Sequence, residues 1–273
     1  MIPATFDYVR ADSVEEAIAL LGEHGPDAKL LAGGHSLIPL MKLRLAEPTV
    51  LIDIGRLREL SYIRPVNGHI AIGATTRHRD LEISEVLAEA VPVLAHVAGQ
   101  VGDAQVRHRG TIGGSVVHGD PASDLPAALL ALGASLVLRG PAGERVVPAA
   151  EFFVGFLETA IGPDEVLVEI RVPPTVGGFG FQKFNRRAMD WAIVGALVAT
   201  TDTGTRIALV NMATTPILAA ASEAALLAGS SVSEAAGLAD EGTTPPEDLG
   251  ASRLYRRHLA RVLTRRALES AGV

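Results

Sequence analysis

Apolar and polar positions alternate along the chain in short runs that predict both helices and strands. Ser13 to Glu16 has the form of a helical capping box, Ile18 and Leu21 follow at helical spacing, and Gly25-Pro26 ends the run. Residues 62–66 and 69–72 read as two strands of a hairpin, since Asn-Gly between them favours a two-residue type I′ turn. The first seventy residues therefore mix both kinds of element.

The remaining periodic runs extend this mixture to the end of the chain. They predict further helices at 37–45, 81–99 with a break at Pro92, 125–132, 218–227 and 252–271. They predict further strands at 28–31, 50–54, 135–138, 166–172, 181–185, 193–200 and 206–212. Strands and helices are grouped rather than strictly alternating, which indicates an α+β fold. Two prolines and two glycines at 173–178 mark a domain boundary, with a first domain at 1–174 and a second at 175–273.

Composition places the chain among globular proteins. Its 273 residues are 48% hydrophobic and 20% charged. No apolar run approaches the roughly 18 residues of a membrane span, and residues 1–7 lack the pattern of a signal peptide, so we expect a cytoplasmic protein without a transmembrane segment. The net charge of −7 disfavours nucleic acid as a partner. An arginine cluster at 253–266 is interpreted as a solvated helix face or a contact with a partner subunit.

Cysteine is absent from the chain. This excludes disulfides, thiolate zinc sites, a cysteine nucleophile and cysteine-ligated iron–sulfur clusters in this polypeptide. The eight histidines include no pair at i, i+4, so no metal site is expected. Redox chemistry in this chain therefore has to rest on an organic cofactor.

Two glycine-rich segments carry the candidate chemistry. The first, 32–36, reads Ala-Gly-Gly-His-Ser and lies between a predicted strand and a helical turn, where successive N–H groups can hold a phosphate or the segment can be a plain turn. The second, 111–124, contains Gly113-Gly114 between hydroxyl residues and continues to Asp120 and Asp124. Asp124 is read either as a helix N-cap or as a carboxylate that accepts hydrogen bonds from a ribose or a ring nitrogen.

Together the two segments predict that one dinucleotide diphosphate is held between two stretches of exposed main chain. No Gly-x-Gly-x-x-Gly opens a helix with an acidic residue about 20 positions later, so the site is not of the Rossmann type.

Both segments also carry a resemblance. Residues 32–42, 111–114 and 120–124, with Phe6-Asp7-Tyr8 and residues 184–192, closely resemble the FAD-binding medium subunit of the xanthine dehydrogenase and aerobic carbon monoxide dehydrogenase family of molybdenum hydroxylases. The likeness spans nearly the whole chain. It implies a two-lobed FAD-binding domain of the vanillyl-alcohol-oxidase (PCMH) type, with lobes at about 1–56 and 57–174, and a smaller α+β domain at 175–273.

The resemblance also implies the residues that bind non-covalent FAD. By motif position they are Ala32, Gly33, Gly34, His35, Ser36, Leu37, Thr111, Ile112, Gly113, Gly114, Ser115, Asp120 and Asp124, with Val101, Leu167, Lys183 and Trp191 along the cofactor. Ser115 stands where relatives commonly have asparagine. Trp191, the only tryptophan, is either close to the isoalloxazine ring or part of the core between domains. No catalytic residue is assigned, and His35 and His118 receive no proton-transfer role.

The function implied by the resemblance is electron transfer within a larger enzyme. A large subunit would hold the molybdenum cofactor and a small subunit the iron–sulfur clusters, in a complex expected to be a dimer of heterotrimers. Electrons would pass through FAD to NAD, oxygen, a quinone or another acceptor. The alternatives are a self-contained FAD-dependent reductase or oxidase of the same fold family and a scaffold that has lost its cofactor. The substrate is left open, with carbon monoxide or a purine favoured.

Overall fold

The structure is a computed structural model that describes residues 2–273. Its first layer is a parallel three-stranded sheet in the order β1-β3-β2, in which helix α1 crosses from β1 to β2. The elements are β1 (Asp7–Arg10), α1 (Val14–His24), β2 (Ala28–Leu31), α2 (Leu37–Lys42) and β3 (Val50–Asp53). Ser13 caps α1 by accepting a hydrogen bond from the amide of Glu16, as the sequence predicts.

An antiparallel five-stranded sheet in the order β4-β5-β10-β6-β7 follows, with several short helices against it. Its strands are β4 (Ile63–Val66), β5 (His69–Gly73), β6 (Ser135–Gly140), β7 (Gly143–Pro148) and β10 (Val166–Val172), while β8 (Phe153–Gly155) and β9 (Glu158–Thr159) form a separate small hairpin. The helices are α3 (His78–Glu82), α4 (Glu85–Ala90), α5 (Pro92–Gly99), α6 (Ala104–Arg109), α7 (Ile112–His118), α8 (Asp124–Ala131) and α9 (Ala149–Phe152).

The remaining residues form an antiparallel sheet in the order β11-β12-β13-β14. The elements are β11 (Phe179–Phe184), β12 (Val194–Thr201), β13 (Gly204–Val210), β14 (Ile217–Leu218), α10 (Ala220–Leu227), α11 (Val232–Gly237) and α12 (Arg253–Ala271). One face of this sheet, with Leu197 and Val210, packs into the core that contains α5 and α8. The other face, with Val198 and Leu209, packs against α11 and α12. Strand β12 is therefore almost entirely buried.

The α+β class and the two-part architecture are confirmed, and most predicted elements lie within a few residues of their observed bounds. Strands β1, β7, β8, β9 and β14 and helices α6, α7, α9 and α11 were not predicted. The predicted long helix 81–99 is three helices, because the chain also breaks at Ile83-Ser84. No helix among residues 2–273 is long and apolar enough to cross a membrane.

Most arginines of the α12 cluster form contacts within the chain, a role that neither sequence interpretation predicted. Arg256 is buried and pairs with Asp248 at 2.7 Å, and Arg261 pairs with Asp240. Arg253 and Arg257 donate to backbone carbonyls of the 243–245 segment. Four of the six arginines therefore hold loop 238–252 against the helix.

Candidate functional site

A cavity of about 540 Å³ lies where the first sheet, the five-stranded sheet and the C-terminal sheet meet. Ligand cavities of proteins usually measure roughly 300 to 1,000 Å³. Fifteen of the seventeen residues predicted for the cofactor line it, and they are Ala32, Gly33, Gly34, His35, Ser36, Leu37, Val101, Thr111, Gly113, Gly114, Ser115, Asp124, Leu167, Lys183 and Trp191. Segments distant in sequence therefore meet at one cavity.

Two of the predicted residues lie outside the cavity lining. Ile112, the first residue of α7, is fully buried in the core. Asp120 accepts a hydrogen bond from the amide of Ala122 at 2.8 Å, which closes a turn before α8. The structure thus gives both residues a structural part in holding the second motif rather than a place at the cavity wall.

The loop that follows β2 exposes its backbone to the cavity. Within residues 2–273, the N–H groups of the five residues 33–37 donate to no backbone or side-chain acceptor. Successive free N–H groups with a nearby serine hydroxyl form a concave site suited to a phosphate. The phosphate-binding interpretation of 32–36 is thereby supported over a plain turn.

The two positions Gly33 and Gly34 require glycine for different structural reasons. Gly34 has φ +74°, a conformation that L side chains rarely adopt. Gly33 does not have positive φ; a Cβ there would approach the carbonyl oxygen of Arg109 to within 2.3 Å. Gly33 is therefore required for the close contact between this loop and the backbone of Arg109 and Gly110.

The second motif is a capped helix: Gly114 exposes main chain at the cavity, as predicted, but the N–H groups of residues 112–115 are already bonded within the protein. Thr111 is the N-cap of α7, and its hydroxyl accepts from the amide of Gly114. The amides of Gly113 and Ser115 donate to Ala74 O at 2.9 Å and Thr111 O at 3.1 Å. A Cβ on Gly113 would lie 2.6 Å from the carbonyl oxygen of Ala74, so this glycine allows α7 to pack against the chain after β5. The motif contributes surface and the Ser115 hydroxyl to the cavity, but no free N–H from residues 112–115.

Asp124 forms a buried ion pair with Lys183, on β11. Their Oδ2 and Nζ atoms are 2.7 Å apart, and the side chains are 5% and 9% exposed. Burial raises the pKa of Asp124, and the ammonium group of Lys183 opposes this by favouring the carboxylate. Asp124 is the first residue of α8, whose N-cap is Ser123, so the N-cap interpretation of Asp124 is wrong. Its Oδ1 atom has no partner within residues 2–273 and is free for a ligand donor.

Trp191 lies at the rim of the cavity and is 56% exposed. The alternative that it is a core tryptophan between domains is therefore wrong. Met189 and Asp190 line the cavity beside it. These residues belong to the segment between β11 and β12, so the C-terminal sheet supplies one wall of a cavity whose other walls come from the first 175 residues.

His78 lines the same cavity and was missed by sequence reasoning. Only 4% of the residue is exposed, and its Nδ1 atom has no hydrogen-bond partner within residues 2–273. Burial lowers the pKa of His78 to about 4, with smaller contributions from His35 and Arg107, so the imidazole is neutral near pH 7. No spacing or motif signals this residue in the sequence; its ring packs against Gly110, where a Cβ would lie 2.7 Å from His78 Cδ2.

The burial of His78 predicts a specific pH dependence of stability. The unfolded chain binds a proton near pH 6.5 and the folded chain near pH 4, so stability is highest above pH 6.5 and falls as the pH drops through this interval. The shift corresponds to about 3 kcal/mol. We expect His78→Gln to flatten the pH dependence of the free energy of unfolding between pH 6.5 and 4, measured by urea denaturation. Equal slopes for the two proteins would contradict the buried neutral state.

The cavity fits a dinucleotide such as FAD. It combines free backbone N–H groups for a diphosphate with two buried polar atoms that lack partners, Asp124 Oδ1 and His78 Nδ1, and with a predominantly apolar lining. Buried polar atoms without partners are rare in folded proteins and are satisfied when a ligand supplies the partner. No group of three or more potential metal ligands occurs among residues 2–273.

Comparisons with known proteins define the class. Residues 4–175 match the profile of the FAD binding domain in molybdopterin dehydrogenase, and residues 179–271 match the CO dehydrogenase flavoprotein C-terminal domain. The chain is thus a flavoprotein in which each of two consecutive parts matches a family profile.

Similar proteins include medium subunits, and the similarity spans nearly the full length of both chains. The chain is 44% identical to the carbon monoxide dehydrogenase medium chain of Hydrogenophaga pseudoflava, covering 99% of this chain and 98% of the relative. It is 39% identical to the alpha subunit of the 6-hydroxypseudooxynicotine dehydrogenase complex of Paenarthrobacter nicotinovorans, covering 99% and 96%. A solved carbon monoxide dehydrogenase from H. pseudoflava superposes with a TM-score of 0.95 at 46% identity, covering 100% and 99%. The chain therefore belongs to the FAD-binding medium subunits of the molybdenum hydroxylases.

Members of this family are components of oxidoreductase complexes. The molybdenum cofactor and the iron–sulfur clusters belong to the large and small subunits of such complexes, which agrees with the absence of cysteine here.

Proposed function

We propose that this chain is the electron-transfer subunit of its complex, which passes electrons from the iron–sulfur clusters of a partner subunit through non-covalent FAD to an external acceptor. Bound FAD supplies the ability to exchange electrons singly or in pairs. The chain supplies the binding site, the orientation of the cofactor and the electrostatic surroundings. The observation that carries the proposal is the row of five free N–H groups at 33–37, which opens into a cavity shared by all three sheets.

In the proposed complex, each wall of the cavity contacts a different part of the cofactor. The loop at 32–37 binds the diphosphate through N–H groups and the Ser36 hydroxyl. Asp124 and Lys183 provide a paired acceptor and donor for polar edges of the nucleotide, and Leu167 and Val101 provide apolar contacts. Trp191 lies close to the isoalloxazine ring. The division into domains at 174 and 175 separates the residues that bind the diphosphate from those that close the opposite wall.

Relatives with different substrates share this subunit type. Their names include a carbon monoxide dehydrogenase, a glyceraldehyde dehydrogenase and a nicotine 6-hydroxylase. We propose that the large subunit selects the substrate and that the present chain tolerates any of these reactions. Carbon monoxide is the first candidate, because relatives at 44% and 40% identity are medium chains of carbon monoxide dehydrogenase.

A tagged chain purified from its host tests the proposal. We expect it to bring down a large molybdenum-containing subunit and a small iron–sulfur subunit, with a mass equal to two copies of each. Bound flavin in this complex should be reduced on addition of a substrate from a panel containing carbon monoxide, a purine and an N-heterocycle. The isolated chain loaded with FAD should show no reduction with the same panel.

The alternative function gives the opposite pattern. A self-contained reductase or oxidase would reduce its FAD with a substrate in the absence of other chains. Substrate-dependent reduction in the isolated chain at the rate of the complex would overturn the subunit proposal.

A further inference from the structure

The segment between β11 and β12 carries the residues that the C-terminal sheet presents at the cavity. This cavity segment, residues 185–193, includes Met189, Asp190 and Trp191, all of which line the cavity. It has no regular secondary structure. Its conformation therefore depends on hydrogen bonds to its backbone rather than on a helix or a sheet.

The cavity segment makes some of these bonds within itself. Asn185 Nδ2 donates to the carbonyl oxygens of Ala188 and Asp190, at 3.3 and 3.4 Å, and the Asp190 amide donates to Arg187 O at 3.0 Å. These contacts shape the first part of the segment. They do not fix where the segment lies relative to the opposite wall of the cavity.

Two side chains from outside hold the two carbonyls that directly follow Trp191. Asn211 Nδ2 donates to the carbonyl oxygen of Ala192 at 2.8 Å, and the buried guanidinium of Arg256 donates to the carbonyl oxygen of Ile193. Arg256 is in turn paired with Asp248. The backbone immediately after Trp191 is therefore fixed at consecutive residues.

Asn211 also contacts the turn that leads to Asp124 on the opposite wall of the cavity. Its backbone N–H donates to the carbonyl oxygen of Pro121 at 2.8 Å, and Pro121 lies in the turn that precedes Asp124. Asn211 has φ +62°, a left-handed conformation that asparagine tolerates better than most residues. Only glycine adopts it more readily, and glycine has no side-chain amide to donate to Ala192. The conformation and the two hydrogen bonds together account for asparagine at this position.

We propose that Asn211 is a positioning residue that fixes Trp191 at the cavity by joining the Ala192 carbonyl to the turn before Asp124. The significance of this position for the cofactor rests on the proposed function, since Trp191 is proposed to lie close to the isoalloxazine ring. The positioning itself is a property of the chain and can be measured without FAD.

The fluorescence of Trp191 reports this position without labelling, because it is the only tryptophan among the 273 residues. Asn211→Gly keeps the positive φ and the backbone bond to Pro121 while it removes the bond to Ala192. Asn211→Asp keeps the side-chain shape but places a carboxylate oxygen against the Ala192 carbonyl. Loss of one hydrogen bond of ordinary strength corresponds to about a fivefold rise in the population of the detached segment.

We expect the fast component of the Trp191 anisotropy decay to grow in the full-length chain with Asn211→Gly and to grow further with Asn211→Asp. Asn67→Gly is the matched control, because Asn67 also has positive φ but lies in the β4–β5 hairpin turn and makes no side-chain hydrogen bond within residues 2–273. That variant should retain the wild-type decay. Bound FAD should also quench Trp191 less in both Asn211 variants.

An unchanged anisotropy decay in a folded Asn211 variant overturns the inference, whichever of the two variants is measured. A change of equal size in the Asn67→Gly control overturns it as well. Failure of the wild-type chain to bind FAD would instead contradict the proposed function, and it would leave the result on the chain without cofactor intact.

Discussion

Replacing Lys183 by methionine is expected to lower the free energy of unfolding by about 3 to 5 kcal/mol, because it leaves a buried carboxylate without its only charged partner. Asp124 is 5% exposed, and its Oδ1 atom already lacks a protein partner. Methionine matches the lysine stem in length but removes the charge and the hydrogen bond of 2.7 Å. Urea denaturation of the two proteins near pH 7 measures the difference.

A second substitution separates the loss of the pair from the loss of packing. Because a buried ion pair contributes little net stability over apolar residues of similar volume, Asp124→Leu together with Lys183→Met should recover most of the lost stability. An exposed pair serves as control: Arg10 and Asp12 are 49% and 76% exposed, so Arg10→Met should cost at most about 1 kcal/mol. A double variant no more stable than Lys183→Met would contradict this account of the pair.

Substituting Gly33 with alanine is expected to weaken FAD binding by at least about 100-fold. The new Cβ would lie 2.3 Å from the Arg109 carbonyl oxygen, so the backbone of one cavity wall has to move. The N–H groups at 33–37 move with it, and loss of two hydrogen bonds to a charged group accounts for a change of this size. Overpacking should also lower the free energy of unfolding by about 1 to 3 kcal/mol. Titration calorimetry with FAD measures the first effect.

Gly22→Ala is the matched control for this substitution. Gly22 lies in α1, and a Cβ there meets no atom within 4 Å. Alanine in an exposed helix should increase stability by about 0.5 to 1 kcal/mol and leave FAD affinity unchanged. If Gly33→Ala bound FAD as tightly as the wild-type chain, the role of the 33–37 backbone would be contradicted.

The elements that the sequence predicted are those with strong local signals. The N-cap at Ser13, the Asn67-Gly68 turn and the apolar strand 166–172 each depend on neighbours in sequence, and each is present in the structure. The reciprocal bond of the predicted capping box is not formed, because the Glu16 carboxylate accepts from the amide of Asp12 instead. Strand β7, by contrast, is mostly exposed and reads Gly-Glu-Arg-Val-Val-Pro, so it carries little apolar pattern. Its pairing with β6 comes from the sheet rather than from local propensity.

The candidate site shows the same division between local and long-range information. The motifs placed fifteen predicted residues at one cavity, but they did not reveal that Gly113-Gly114 begins a helix with its N–H groups already used. Two glycines are ordinarily a signal against a helix, and here close packing of Gly113 on Ala74 overrides that propensity. The Asp124–Lys183 pair joins residues 59 positions apart, and the ring of His78 packs against Gly110 in the connection between α6 and α7, so neither has a signature in sequence spacing.

We propose that free backbone N–H groups of the first loop, and not those of the second motif, hold the FAD diphosphate. Amide hydrogen exchange of the full chain with and without FAD tests it most directly. We predict that residues 33–37 exchange rapidly without FAD and become strongly protected when it binds, while residues 112–115 are protected in both states by their bonds within the protein. Bound FAD that left residues 33–37 unprotected, or that protected residues 112–115 instead, would contradict the account.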